Sequence, residues 1–69
     1  MTPFAIRTTR QRLGLTQGQA ARLVGVEART WRHWEAGERV MPEPVRRILG
    51  MVEDVPEVRE WLTRRASSC

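Results

Sequence analysis

Residues 16–37 read TQGQAARLVGVEARTWRHWEAG, and this stretch decides the fold. Thr16 followed three residues later by Gln19 is a capping-box pattern, in which each side chain satisfies a backbone N–H at the start of a helix. Ala20, Leu23 and Val24 recur at helical spacing and give that helix an apolar face. Gly25 stops it, because glycine takes the left-handed backbone that a sharp turn needs. A second helix follows over 27–36, and Gly37 ends it. Two helices joined by so short a turn must approach closely, and the small Ala21 stands where they do.

At 100° per residue the second helix sorts its side chains onto two arcs. Thr30, Trp31 and Trp34 fall on one, and Ala28, Arg29, Arg32, His33 and Ala36 on the other. The tryptophans are expected to pack inward. The opposite arc holds cations beside two small residues, and on its own it fits either a solvated surface or a phosphate-rich partner.

Outward from this pair, Thr2-Pro3 reads as the cap and first residue of an N-terminal helix. Phe4, Ile6 and Leu13 give it part of an apolar stripe, and Gly14 is placed to end it. On the other side, ERVMPE over 38–43 reads as a loop. Pro42 and Pro44 bracket the start of a fourth helix, with Val45, Ile48, Leu49 and Val52 apolar. Gly50 inside it costs up to ~1 kcal/mol relative to alanine, which a close contact would explain. Asp54 and Glu57 suggest a second capping box, opening a fifth helix at about 55–65 with Val55, Val58, Trp61 and Leu62 apolar. The tail, TRRASSC, is expected to fray. No strand pattern or repeat is visible. The expected fold class is all-α, a compact bundle of five short helices in a single domain over 1–69.

A chain of 69 residues buries only ~60% of its unfolded surface. Its 41% hydrophobic content suffices for one core but not for a deep enclosed pocket, which counts against an enzyme. There is no nucleophile–base pair and no phosphate loop, and Glu35, Glu38 and Glu43 read as surface groups of helix and loop. The net charge is +4, and all 12 basic residues are arginine. Residues 1–47 hold nine arginines against four acids, a balance of +5, whereas 48–69 hold three against four, a balance of −1. The basic part thus coincides with the quoted stretch. Arginine supplies planar, forked donors suited to phosphates and guanine edges. The lone cysteine, Cys69, allows no intrachain disulfide, and one Cys with one His makes no metal site. A reducing cytoplasm is expected, with no signal peptide, no membrane span, no cofactor and no small-molecule ligand.

Residues 10–37, RQRLGLTQGQAARLVGVEARTWRHWEAG, resemble the Cro/C1-type helix-turn-helix of phage and bacterial repressors. The likeness lies in Leu13-Gly14-Leu15-Thr16-Gln17, Ala21, Gly25-Val26, and Trp34-Glu35 before Gly37. It implies a helix-turn-helix at about 16–36 whose second helix enters the DNA major groove. It further implies that Gln17 contacts the DNA backbone, that Ala28, Arg29 and His33 face base edges, and that Glu35 pairs with Arg10. One departure stands out. Glu27 occupies a cap position where the family often has Ser or Thr; a carboxylate suits the helix dipole yet repels phosphates unless a cytosine amino group donates to it. More narrowly, ARTWRHWEAGERVMPEPV is similar to small phage-encoded anti-CRISPR-associated regulators, which repress their own operons.

The sequence therefore reads as a dimeric, sequence-specific DNA-binding repressor. Arg29, Arg32 and His33 read bases, while Thr16, Gln17 and Arg39 hold phosphates. Val55, Val58, Trp61 and Leu62 form a candidate dimer face, with capping of the monomer core as the competing role. The alternative is an antitoxin-like or other protein-binding module with secondary DNA contact.

Overall fold

The computed structural model describes the backbone of residues 1–67 and the side chains of residues 1–65. Five helices follow in chain order: α1 (Pro3–Arg12), α2 (Gln17–Val24), α3 (Ala28–Glu35), α4 (Glu43–Asp54) and α5 (Pro56–Ser67). Among the described residues there is no strand, so the fold is all-α. Helix α2 packs on α3, α4 and α5, and α3 also packs on α1. The radius of gyration is 11.1 Å, against ~11 Å for a packed chain of this length.

The first two helices begin as their sequences dictate. The Thr2 hydroxyl accepts from the Ala5 N–H, with Pro3 at the first helical position. At α2 the capping box is complete: Thr16 Oγ1 accepts from the Gln19 N–H at 3.1 Å, and Gln19 Oε1 accepts from the Thr16 N–H at 2.9 Å. Gly25 closes α2 at φ +81°, where a side chain would be strained. The Val26 N–H then donates to the Ala21 carbonyl at 2.9 Å, so the chain turns within three residues and α3 starts at once. Gly37, at φ +78°, does the same after α3, and there a Cβ would also stand 3.3 Å from Pro3 Cγ.

The core joins Ile6, Ala20, Ala21, Trp31, Trp34, Met41 and Leu49. Trp31 and Trp34 meet edge to face, with ring centroids 5.7 Å apart. Such pairs add ~0.5–1.5 kcal/mol beyond the area they bury. Alanines at 20 and 21 are fully buried, and their small size lets α2 and α3 come together around these rings.

Several expectations change. Phe4 is 77% exposed and contributes nothing to a buried stripe; Ile6 and Thr9 are the buried residues of α1. Asp54 opens no helix. It is the last residue of α4, and the break falls at Val55, whose extended backbone is what a following proline imposes. Helix α5 runs on to Ser67, so residues 63–67 of the tail are helical rather than frayed, and Cys69 lies outside the described residues. A methyl group placed on Gly50 would meet nothing within 4 Å, so no close contact explains this glycine. The loop before α4 is not wholly a surface segment, since Met41 reaches the core from it.

Candidate nucleic-acid interface

The eight residues of α3 divide as the helical period requires. Trp31, Trp34 and Glu35 are buried; Arg29 and Arg32 are exposed. Ala28 departs from the outward arc, because it is half-buried and packs against the core. His33 is half-exposed, and its Nδ1 lies 3.3 Å from Glu38 Oε1. That contact leaves Nε2 as the ring nitrogen available to a partner.

One carboxylate fixes this helix. Glu35 is not a surface group: its side chain is only 2% exposed. Arg10 Nε donates to Glu35 Oε2 at 2.6 Å, and Arg10 Nη2 donates to Oε1 at 3.2 Å. The Trp31 indole N–H also donates to Oε2, and Gln17 Nε2 donates to Oε1 at 3.3 Å. Arg7 Nε stands 3.7 Å from Oε1. Arg10 uses its remaining nitrogen, Nη1, to donate to the Leu15 carbonyl at 3.0 Å. Glu35 thus ties the end of α3 to α1, to the first residue of α2 and to its own preceding turn. Burial opposes its charge, but hydrogen bonds from Arg10, Trp31 and Gln17, together with the Arg10 charge, outweigh that and hold its carboxyl below the usual range.

Gln17 therefore sits differently from a residue aimed wholly outward. One amide hydrogen is turned to Glu35, leaving the second hydrogen and the carbonyl oxygen. Thr16 is exposed at the same helix start, its hydroxyl engaged in the capping box. Arg39 is exposed in the loop after α3, with its backbone N–H 3.3 Å from the His33 carbonyl oxygen.

The arginines fall into two groups. Arg12 meets Glu53 at 3.3 Å, and Arg46 and Arg47 both meet Glu43, whose carboxyl the Arg46 hydrogen bond chiefly holds below its usual range. Arg59 donates to the Leu13 carbonyl at 2.8 Å. Among the described residues, Arg22, Arg29, Arg32 and Arg39 have no acidic partner within ion-pair distance, and these four lie on α2, α3 and the loop after α3; Arg64, exposed on α5, lacks one as well but stands apart from them in the chain. Uncompensated positive charge therefore gathers on α2, α3 and the loop that follows.

The acids show a single gap in the same region. Of the four within residues 1–47, Glu35, Glu38 and Glu43 each face a basic group. Glu27 faces none among the described residues, although it is exposed at the cap of α3, and its side chain makes no capping hydrogen bond.

Trp31 as a polar partner of Glu35 is not evident from the sequence, although their spacing of four puts them on adjacent turns. Arg7 is no more evident, since nothing along the chain distinguishes it from its neighbours. Val55, in the break before α5, and Trp61 on α5 are exposed, and Val58 and Leu62 on α5 are half-buried. The Arg65 guanidinium lies 4.4 Å from the centre of the Trp61 ring.

A family model described as a helix-turn-helix domain matches residues 5–62, which takes in the whole of α2, α3 and α4 and most of α1 and α5. No curated protein and no solved structure matches the chain. No helix among the described residues is long and apolar enough to cross a membrane. Helices α2 and α3, joined at Gly25, form the helix-turn-helix within the matched span. The chain belongs to the helix-turn-helix domain family, a family of DNA-binding domains.

Proposed function

We propose that this protein is a sequence-specific transcriptional repressor that binds an inverted-repeat operator as a homodimer. The observation that carries the reading is on α3: Arg29 and Arg32 are exposed and, among the described residues, free of acidic partners, on a helix whose opposite face is locked by Trp31, Trp34 and Glu35. A helix so held enters the major groove without reordering. Each arginine can fork onto O6 and N7 of guanine, a contact worth ~1–3 kcal/mol of discrimination. His33 offers Nε2 to a base edge, and Ala28 leaves room for the backbone to approach. Gln17 and Arg39 hold phosphates at either side of α3, and the free N–H groups at the start of α2, beside Thr16, add to that hold.

Exposed Trp61 and half-buried Val58 and Leu62 on α5, with exposed Val55 just before it, support a dimer face there. Two copies related by a two-fold axis would place their α3 helices ~34 Å apart, one turn of DNA, and so select an inverted repeat. Repression of its own operon in a bacterial or phage-infected cell is the regulatory role we favour. Its likeness to anti-CRISPR-associated regulators over residues 28–45 suggests an anti-CRISPR operon as one such setting. The test is the DNA upstream of its own gene. An inverted repeat there, protected from cleavage by the protein, supports the reading. Absence of any protected site, or a monomer in sedimentation both free and on DNA, rejects it. The same exposed α5 face would serve a protein-binding module, and a stable heterocomplex with no DNA preference would favour that instead.

A further inference from the structure

We infer that Glu27 is a specificity-determining residue, which accepts a hydrogen bond from the N4 amino group of a cytosine in each operator half-site. The inference rests on the DNA-reading role given above to α3. Its basis is the anomaly of this carboxylate. Every other acid within residues 1–47 faces a basic side chain; Glu27 faces none among the described residues, although it is exposed at the leading end of the helix that bears Arg29 and Arg32. Arg29 is two residues on, a spacing that does not bring helical side chains together. Nor is the group used as a cap, because its side chain makes no hydrogen bond to the α3 backbone.

An unpaired carboxylate brought against a polyanion is repelled by phosphate and loses water as the surfaces close. A donor on the DNA offsets that. In the major groove the donors are the cytosine N4 and adenine N6 amino groups. Adenine sets its N7 lone pair beside N6, which repels a second carboxylate oxygen, whereas cytosine carries no acceptor of its own beside N4 in the groove. The carboxylate thus rewards cytosine and penalises the other bases. Arginine at 29 and 32 favours guanine by the complementary chemistry, so the end of α3 would read a G·C-rich half-site.

The experiment selects preferred duplexes from a randomised pool with the full chain and with Glu27→Ala. It then measures affinity for the selected site and for its single-base variants. The side chain makes no capping hydrogen bond and holds no cation, so only its favourable charge at the start of α3 is lost and the variant should melt within a few degrees of the parent. For the parent protein, replacing the assigned C·G pair by T·A should weaken binding roughly 5–150-fold, the range of one good base contact. For Glu27→Ala that ratio should fall below about twofold at this position alone, with affinity for random duplex raised because a repulsive charge is gone. A selected site at which Glu27→Ala keeps every base preference overturns this inference and leaves the DNA-reading role of α3 standing. A pool that yields no preferred sequence for the parent overturns both.

Discussion

Helices α3 and α5 both combine tryptophan with arginine, and they use the two residues in opposite ways. In α3 the tryptophans are buried and Arg29 and Arg32 stand free at the surface. In α5 Trp61 is 49% exposed beneath Arg65, while Arg59 turns inward to the Leu13 carbonyl. Composition does not separate the two helices; anchoring does. Both rings of α3 are buried in the core and the Trp31 indole is also held by Glu35, so its cations project from a fixed frame. In α5 an arginine provides the anchor and an aromatic ring is left outside. The contrast suits α3 to a charged partner and α5 to an apolar one.

The largest effect should come from removing the α3 anchor. Trp31 is 0% exposed, and truncating a buried aromatic ring to alanine costs ~3–5 kcal/mol. A domain of this size has a total stability of only ~3–10 kcal/mol, so Trp31→Ala should leave a large unfolded fraction at 25 °C. Urea denaturation followed by circular dichroism measures it. A loss under about 1 kcal/mol would break the comparison, since α3 would then be no better anchored than α5.

Next comes the polar half of the anchor. Glu35→Ala leaves Arg10, whose side chain is 16% exposed, without its counter-charge, and breaking such a pair costs ~3 kcal/mol, the low end for buried pairs because Arg10 keeps Leu15 and some water. Acid tests the same bond. The folded-state carboxyl titrates below its unfolded value, so its contribution is complete above the ordinary carboxylate range and is lost as pH falls through the lower, folded value. The parent should therefore lose stability below about pH 4 more steeply than Glu35→Gln. Parallel acid unfolding curves would remove Glu35 as the tie.

Much of this arrangement is legible in the chain. The capping box at Thr16 and Gln19, the turn at Gly25 and, apart from Ala28, the two arcs of α3 follow from local chemistry and a period of 3.6, and stand in the fold. What is not legible depends on contacts distant in sequence. Glu35 reads as a surface acid from its own helix; the family resemblance supplies Arg10, but its bonds from Gln17 and Trp31 are not legible. Met41 sits in a segment that looks like loop, and Phe4 in one that looks like core, because burial there is set by where α4 and α1 dock. Asp54 has the look of a cap, yet Pro56 enforces the break more strongly than any side-chain oxygen.

The free cations of α3 give a smaller effect, read in binding rather than folding. Arg29→Ala should weaken operator binding by ~1–3 kcal/mol and spare random duplex. Arg39→Ala should weaken both about equally and reduce the salt slope by roughly one. Arg64, exposed on α5, should change neither beyond ~0.5 kcal/mol when replaced by alanine. Affinities for both duplexes across a range of salt concentrations separate the three. Equal losses on operator and random DNA for Arg29→Ala would make it a phosphate clamp and pass base reading to Arg32 and His33.

The smallest effect belongs to Trp61, and its dependence on concentration is the informative part. Half of the ring is already in water, so in a dilute monomer Trp61→Ala removes a partial contact and the stacked Arg65, together under ~1 kcal/mol. If α5 is the dimer face, the folded monomer is further stabilised by association, and melting temperature rises with protein concentration. The parent should then show that rise, and Trp61→Ala should flatten it while its dilute melting temperature stays within a few degrees. Thermal melts over a hundredfold concentration range, with sedimentation at each end, supply both readings. A parent whose melting temperature ignores concentration would leave α5 as a cap on the monomer. A loss as large as that of Trp31→Ala in dilute solution would erase the distinction between the two helices.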